Sequence, residues 1–114
     1  MTKNLQINLL RNLLKDLFVS IDSGNDLKFI QNYEKYVGKL IKFMKRYRYY
    51  AMNLEMFDAV QKKVEALISS PEISSLIKES LRSKFDRANE IAAGFSEVNA
   101  SSLNYLSLLI IFLT

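Results

Sequence analysis

Leucines and one phenylalanine recur at spacings of three and four near the start of the chain: Leu5, Leu9, Leu10, Leu13, Leu14, Leu17 and Phe18. That period puts them on one face of a helix over residues 4–20, with Arg11, Asn12 and Lys15 falling between them. Asp22-Ser23-Gly24-Asn25 then reads as a stop and a restart. Gly24 suits a left-handed C-terminal position, and Asn25 or Asp26 suits the next cap. A second helix is expected from about 26 to 48. Its stripe is Leu27, Ile30, Tyr33, Val37, Leu40, Ile41 and Met44, with Phe43 and Tyr47 at the edge. Gly38 inside it costs roughly 1 kcal/mol against alanine, and a close helix crossing would be a reason to keep it.

Asn53 is placed to cap a third helix over 54–69, striped by Leu54, Phe57, Val60, Val64, Leu67 and Ile68. Ser70-Pro71-Glu72 carries the marks of a helix start, and a short helix over about 72–79 is expected there. Leu81, Phe85, Ala88, Ile91, Ala92 and Phe95 mark a helix over about 82–94, ended by Gly94. Asn99 or Ser101 would cap a last helix over 102–113. That last run is apolar on nearly every side and carries no charge. At about half the 20 residues a membrane span needs, it reads as a core helix, although LLIIFL also has the composition of a buried strand. The expectation is an all-α, single-domain bundle of five to six helices, with a leading helical segment over 1–33 and a bundle over 34–114.

Composition supports helices over strands. The 114 residues include 3 glycines and 1 proline, too few turn formers for many short strands. A chain of this length buries a core without disulfides or metal. The absence of cysteine and histidine excludes thiolate and imidazole catalysis, disulfides and ordinary zinc sites. Cysteine-free composition fits a reducing compartment. The opening residues, with Lys3, Arg11, Lys15 and Asp16, lack the form of a signal peptide. The expected setting is the cytoplasm or an organelle matrix.

Enzyme chemistry finds little footing. Ser75 and Lys78 match the Ser-x-x-Lys spacing, but that chemistry needs a desolvated lysine, and the surrounding sequence is polar. Glu55 with Asp58, and Asp86 with Glu90, meet at helical spacing but have cations within a turn, as surface pairs do. No glycine-rich phosphate loop and no carboxylate metal cage is suggested. The expectation is a protein that is not an enzyme and holds no cofactor.

Charge is where the sequence becomes uneven. Residues 34–50 hold six cations and one anion, while the rest holds ten cations and eleven anions, so the net +4 lives on one segment. Lys35, Lys39, Lys42 and Lys45 step by three or four and so line one helical face. A field concentrated this way steers acidic partners. Cations interleaved with Tyr47, Tyr49 and Tyr50 also have the makings of a nucleic-acid or anionic-membrane surface. The same tyrosines suit a core edge, ring buried and hydroxyl wet.

The phrase FDAVQKKVEALISSPEISSLIKESLRSKFDRANEIAAGFSEVNASSLNYLSLL, residues 57–109, resembles the N-terminal helical domain of the ATP synthase delta subunit, called OSCP in mitochondria. The resemblance rests on the Val64–Ile68 stripe, Ser70-Pro71, the helix from Lys84 to Phe95, and Asn104-Tyr105-Leu106-Ser107-Leu108-Leu109. It implies a helical bundle in which residues 36–47 and 103–113 form a groove for a partner's helix. Helix-in-groove recognition needs an apolar slot and a charged rim. The expected partner-binding residues are Lys39, Lys42, Phe43, Lys45, Arg46, Tyr47, Arg48, Tyr105, Leu109 and Phe112. Two other functions fit the sequence: a stand-alone helical protein of the immunity or chaperone type, working through residues 4–20, and a binder of nucleic acid or anionic membrane.

Overall fold

The computed structural model describes the backbone over residues 2–113 and side chains over residues 2–95. The described chain forms four helices: α1 (Lys3–Val19), α2 (Asp26–Arg46), α3 (Leu54–Ile68) and α4 (Ser75–Leu113). The helices begin where the polar side chains allow. Thr2 Oγ1 accepts from the Leu5 amide at 3.3 Å, Asn25 Oδ1 from Lys28 at 3.1 Å, and Asn53 Oδ1 from Met56 at 3.1 Å. Each bond satisfies an amide that the first turn leaves without a partner. Between α1 and α2, Gly24 takes φ +80°, a region where a Cβ is costly.

The all-α architecture agrees with the sequence pattern, but the helix number does not. The segments expected as three helices over 72–79, 82–94 and 102–113 are one continuous helix. Ser70-Pro71 opens a turn rather than a helix, and Ser74 supplies the cap, its Oγ accepting from the Ile77 amide at 3.4 Å. Gly94 does not end α4, because it keeps a negative φ and the i→i−4 ladder runs through it. A single glycine costs a helix about 1 kcal/mol, which flanking turns of good helix formers absorb. The stretch LLIIFL is helical, and no strand occurs among the described residues. The expected boundary at residue 34 also falls inside an element, since α2 runs across it and α1 is a full member of the bundle.

α1 packs on α2 and α3, and α4 packs on α3 and α2, which closes a four-membered ring. Side-chain contacts give the directions. Lys3 meets Tyr47 at one end of the α1–α2 hairpin. Gln61 meets Phe85 and Asn89 in the antiparallel α3–α4 pair. Glu34 faces Lys84, and Tyr50 just beyond α2 faces Phe95, so α2 and α4 run side by side in the same direction. The link from α2 to α3 therefore crosses the bundle end diagonally, as the extended segment 47–53. Tyr50 drops from that crossover into the bundle, where its ring meets Phe43 at 5.3 Å and Phe95 at 5.7 Å, both edge-on.

The core follows the 3.6-residue period on every helix: Leu10, Leu14 and Leu17 from α1; Phe29, Ile30, Tyr33, Tyr36, Val37, Leu40 and Phe43 from α2; Phe57, Val60, Val64 and Leu67 from α3; Leu81, Ala88 and Phe95 from α4. Two details differ from the expected stripe. Leu27 is 58% exposed at the start of α2, and the stripe instead rotates onto Phe29 and Tyr36. Gly38 faces open space, with nothing within 4 Å of where a Cβ would stand, so no close crossing accounts for it.

Among the described residues, one buried polar residue sits inside the ring, Gln61, at 6% exposure. The Tyr33 hydroxyl donates to its Oε1. Its Nε2 donates to Asn89 Oδ1 at 2.9 Å and to the Phe85 carbonyl at 3.3 Å. One side chain thus ties α2, α3 and α4 together. Its amide meets its partners inside the bundle, as a buried amide must.

Candidate functional site

The basic stripe lies on the outer face of α2 and continues into the crossover. Lys35, Lys42, Lys45, Arg46 and Arg48 are exposed and Lys39 is half-buried. Lys45 and Arg46 occupy the last turn of α2, where cations are favoured by the carbonyl end of the helix dipole. The ion pairs among the described residues are Lys63–Asp26 at 3.1 Å, Lys84–Glu34 at 4.0 Å and Arg87–Glu90 at 3.0 Å. None of the six cations of the stripe has a described carboxylate within ion-pair reach.

Because α1 and α2 are antiparallel, the start of α1 comes to the same end. Lys3 Nζ stands 5.2 Å from the centre of the Tyr47 ring, and the Arg46 guanidinium stands 5.6 Å from it. Tyr47 is half-buried and packs on Phe43 at 4.9 Å. Two cations from different helices therefore approach one aromatic ring. A small hollow of about 140 Å³ beside them lies between α1 and α2, lined by Gln6, Leu9, Leu10, Lys39, Lys42 and Phe43.

Of the expected partner-binding residues, the structure brings Lys39, Lys42, Lys45, Arg46, Tyr47 and Arg48 to this end. Phe43 is corrected from rim to core. It is 1% exposed, because its position on α2 points between α1 and the crossover rather than outward. Tyr105, Leu109 and Phe112 lie outside the residues whose side chains are described, and with them the far wall of the expected groove. α1, the working surface of the immunity-type reading, commits Leu10, Leu14 and Leu17 to the core and leaves Leu5, Phe18 and Val19 exposed.

A second concavity lies between α1 and the crossover. It holds about 420 Å³ and is lined by Arg11, Asn12, Leu14, Lys15, Tyr50, Ala51, Met52, Asn53 and Met56. Arg11 fastens the crossover in place: its Nε and Nη2 donate to the Ala51 carbonyl at 3.4 and 3.2 Å. Tyr50 is 4% exposed, and neither its hydroxyl nor that of Tyr36 makes a hydrogen bond of acceptable geometry, although the two lie close enough to couple electrostatically. Burial pushes the ionisation of both, and of Tyr33, well above the ordinary tyrosine range. The adjacent Tyr36 hydroxyl, and after it the charge of Arg11, pull Tyr50 partly back.

Ser75 is exposed at the first position of α4. It lines one shallow surface hollow with Lys78, Ile68, Glu79 and Arg82. Glu90 is engaged with Arg87, and no cluster of three acids capable of holding a metal occurs among the described residues. Among these residues, no helix is long and apolar enough to cross a membrane.

The sequence pattern missed the parts played by Lys3, Arg11 and Gln61. For Arg11 and Lys3 a signal existed: a basic residue on the polar face of α1 lies beside the end of α2 whenever the two helices form a hairpin. Comparison with known families, with curated proteins and with solved structures finds no match to this chain.

Proposed function

We propose that this chain is a non-enzymatic binding module that docks on an acidic protein surface through the end formed by the start of α1, the end of α2 and the crossover. One observation carries this reading. Lys3, Lys39, Lys42, Lys45, Arg46 and Arg48 gather there without described carboxylates to neutralise them, whereas the described ion pairs, of Lys63, Lys84 and Arg87, all lie elsewhere. A field of one sign raises the encounter rate with a complementary surface and sets orientation. The resemblance in the second half of the chain gives the partner the form of an amphipathic helix.

The test is a pull-down from native lysate with the wild type and with Lys42→Glu/Lys45→Glu/Arg46→Glu, followed by reconstitution with the purified partner. The reading requires a protein that the triple variant loses and that rebinds the wild type in a salt-dependent way. An identical catch from both would remove the basic end from the function.

A second reading, binding of nucleic acid, draws support from the meeting of cations from two helices on Tyr47. It predicts nuclease-sensitive recovery, and an affinity that falls linearly on a log–log plot against salt with a slope near −0.9 per phosphate neutralised.

A further inference from the structure

The cleft between α1 and the crossover shares no lining residue with the cations of the basic end and has a different chemistry. Its floor is Leu14, Met52 and Met56, and its cations are Arg11 and Lys15. We propose that it binds a small amphipathic carboxylate of the medium-chain fatty acid type, chain against the floor and head group between Lys15 and Arg11.

Three observations lead there. The volume of about 420 Å³ lies within the range of small-molecule sites. The floor is apolar, and its unbranched methionines adapt to a flexible chain. Both charged residues in the lining are cations; Lys15 has no described carboxylate in ion-pair reach, and Arg11 is held rigid by Ala51 with Nη1 uncommitted. The cleft is too short for a helix. Arg11 to Lys15 is one turn of α1, about 6 Å, whereas a helix with its side chains is about 10 Å across. An alkyl chain with one anionic end fits those limits.

The experiment uses the full chain labelled with ¹³C-methyl methionine and titrated with octanoate, decanoate and dodecanoate below their micellar concentrations. Saturable shifts are expected at Met52 and Met56 and not at Met44. Each added methylene should tighten binding by about twofold to fourfold. Decanol should bind about tenfold more weakly than decanoate, because it loses the charge-assisted hydrogen bonds. Lys15→Glu, at an exposed position, should weaken decanoate by a similar factor. Ala51→Phe should fill the cleft and abolish the shifts while the thermal melt stays that of the wild type. No saturable shift in the wild type, shifts spread equally to Met44, or affinities untouched by Lys15→Glu would each overturn the proposal.

Discussion

Replacing Gln61 by methionine keeps the length and shape of the side chain and removes its polar atoms. The Tyr33 hydroxyl then loses its acceptor inside the bundle, and Asn89 and the Phe85 carbonyl lose a donor. Asn89 is exposed and regains water. Tyr33 is 1% exposed and does not. Stranding one buried hydroxyl costs about 1–3 kcal/mol, so Gln61→Met should destabilise by about 2 kcal/mol. At about 4 °C per kcal/mol for a domain of this size, the melting temperature falls by roughly 8 °C. Tyr33→Phe alone leaves Gln61 Oε1 unpaired and should cost about 1 kcal/mol. The double variant removes both halves of the bond and strands neither. It should be more stable than Gln61→Met, with a coupling of about 1–2 kcal/mol. Urea unfolding of the four proteins, compared at constant m-value, measures this directly. If the two substitutions add, or if Gln61→Met is neutral, the hydrogen bond does not hold the helices together as argued.

Gly38→Ala should stabilise by about 0.5–1 kcal/mol, because the new methyl meets open space and the unfolded chain loses freedom; Gly24→Ala should destabilise by about 1 kcal/mol through its left-handed φ, both read by thermal melting. Stability should fall steeply above pH about 10. Tyr33, Tyr36 and Tyr50 are held neutral in the folded state, while the unfolded chain ionises them. The unfolded state then binds fewer protons, and the slope approaches about 1.4 kcal/mol per pH unit for each tyrosine, measurable by urea unfolding between pH 8 and 11.5. Tyr36→Phe should remove about one third of that slope, and should leave stability at pH 7 within about 1 kcal/mol of the wild type, since its hydroxyl meets only the equally buried hydroxyl of Tyr50.

What could be read from the residues depended on whether the signal was local. The caps at Asn25 and Asn53 and the turn at Gly24 are one-turn phenomena, and the structure places them as the pattern does. Gly94 and Ser70-Pro71 misled because local punctuation competes with the stripe on either side. Over Leu81, Ala88, Ile91 and Phe95, continuous burial outweighed one glycine. Gln61 was invisible because a glutamine among apolar neighbours declares its burial only through partners 24 and 28 residues distant. The basic stripe on α2 was legible as a stripe. Its meeting with Lys3 was not, since that depends on the α1–α2 hairpin closing and on Tyr47 leaving the helix in an extended conformation.

The diagonal crossover makes loop length a topological choice. Neighbouring helices in a bundle sit about 8–10 Å apart, so the diagonal of the ring is about 13 Å. The seven residues between Arg46 and Leu54 can reach about 25 Å, enough to cross the end and still dip Tyr50 inward. A connection cut to two or three residues reaches only the adjacent position. The same helices would then close with every neighbour antiparallel, and the two hairpins would trade their side-by-side pairing for a meander. Segment 47–53 is therefore a spacer whose length selects one of two closed arrangements for the same four helices, before any side chain on it makes a contact.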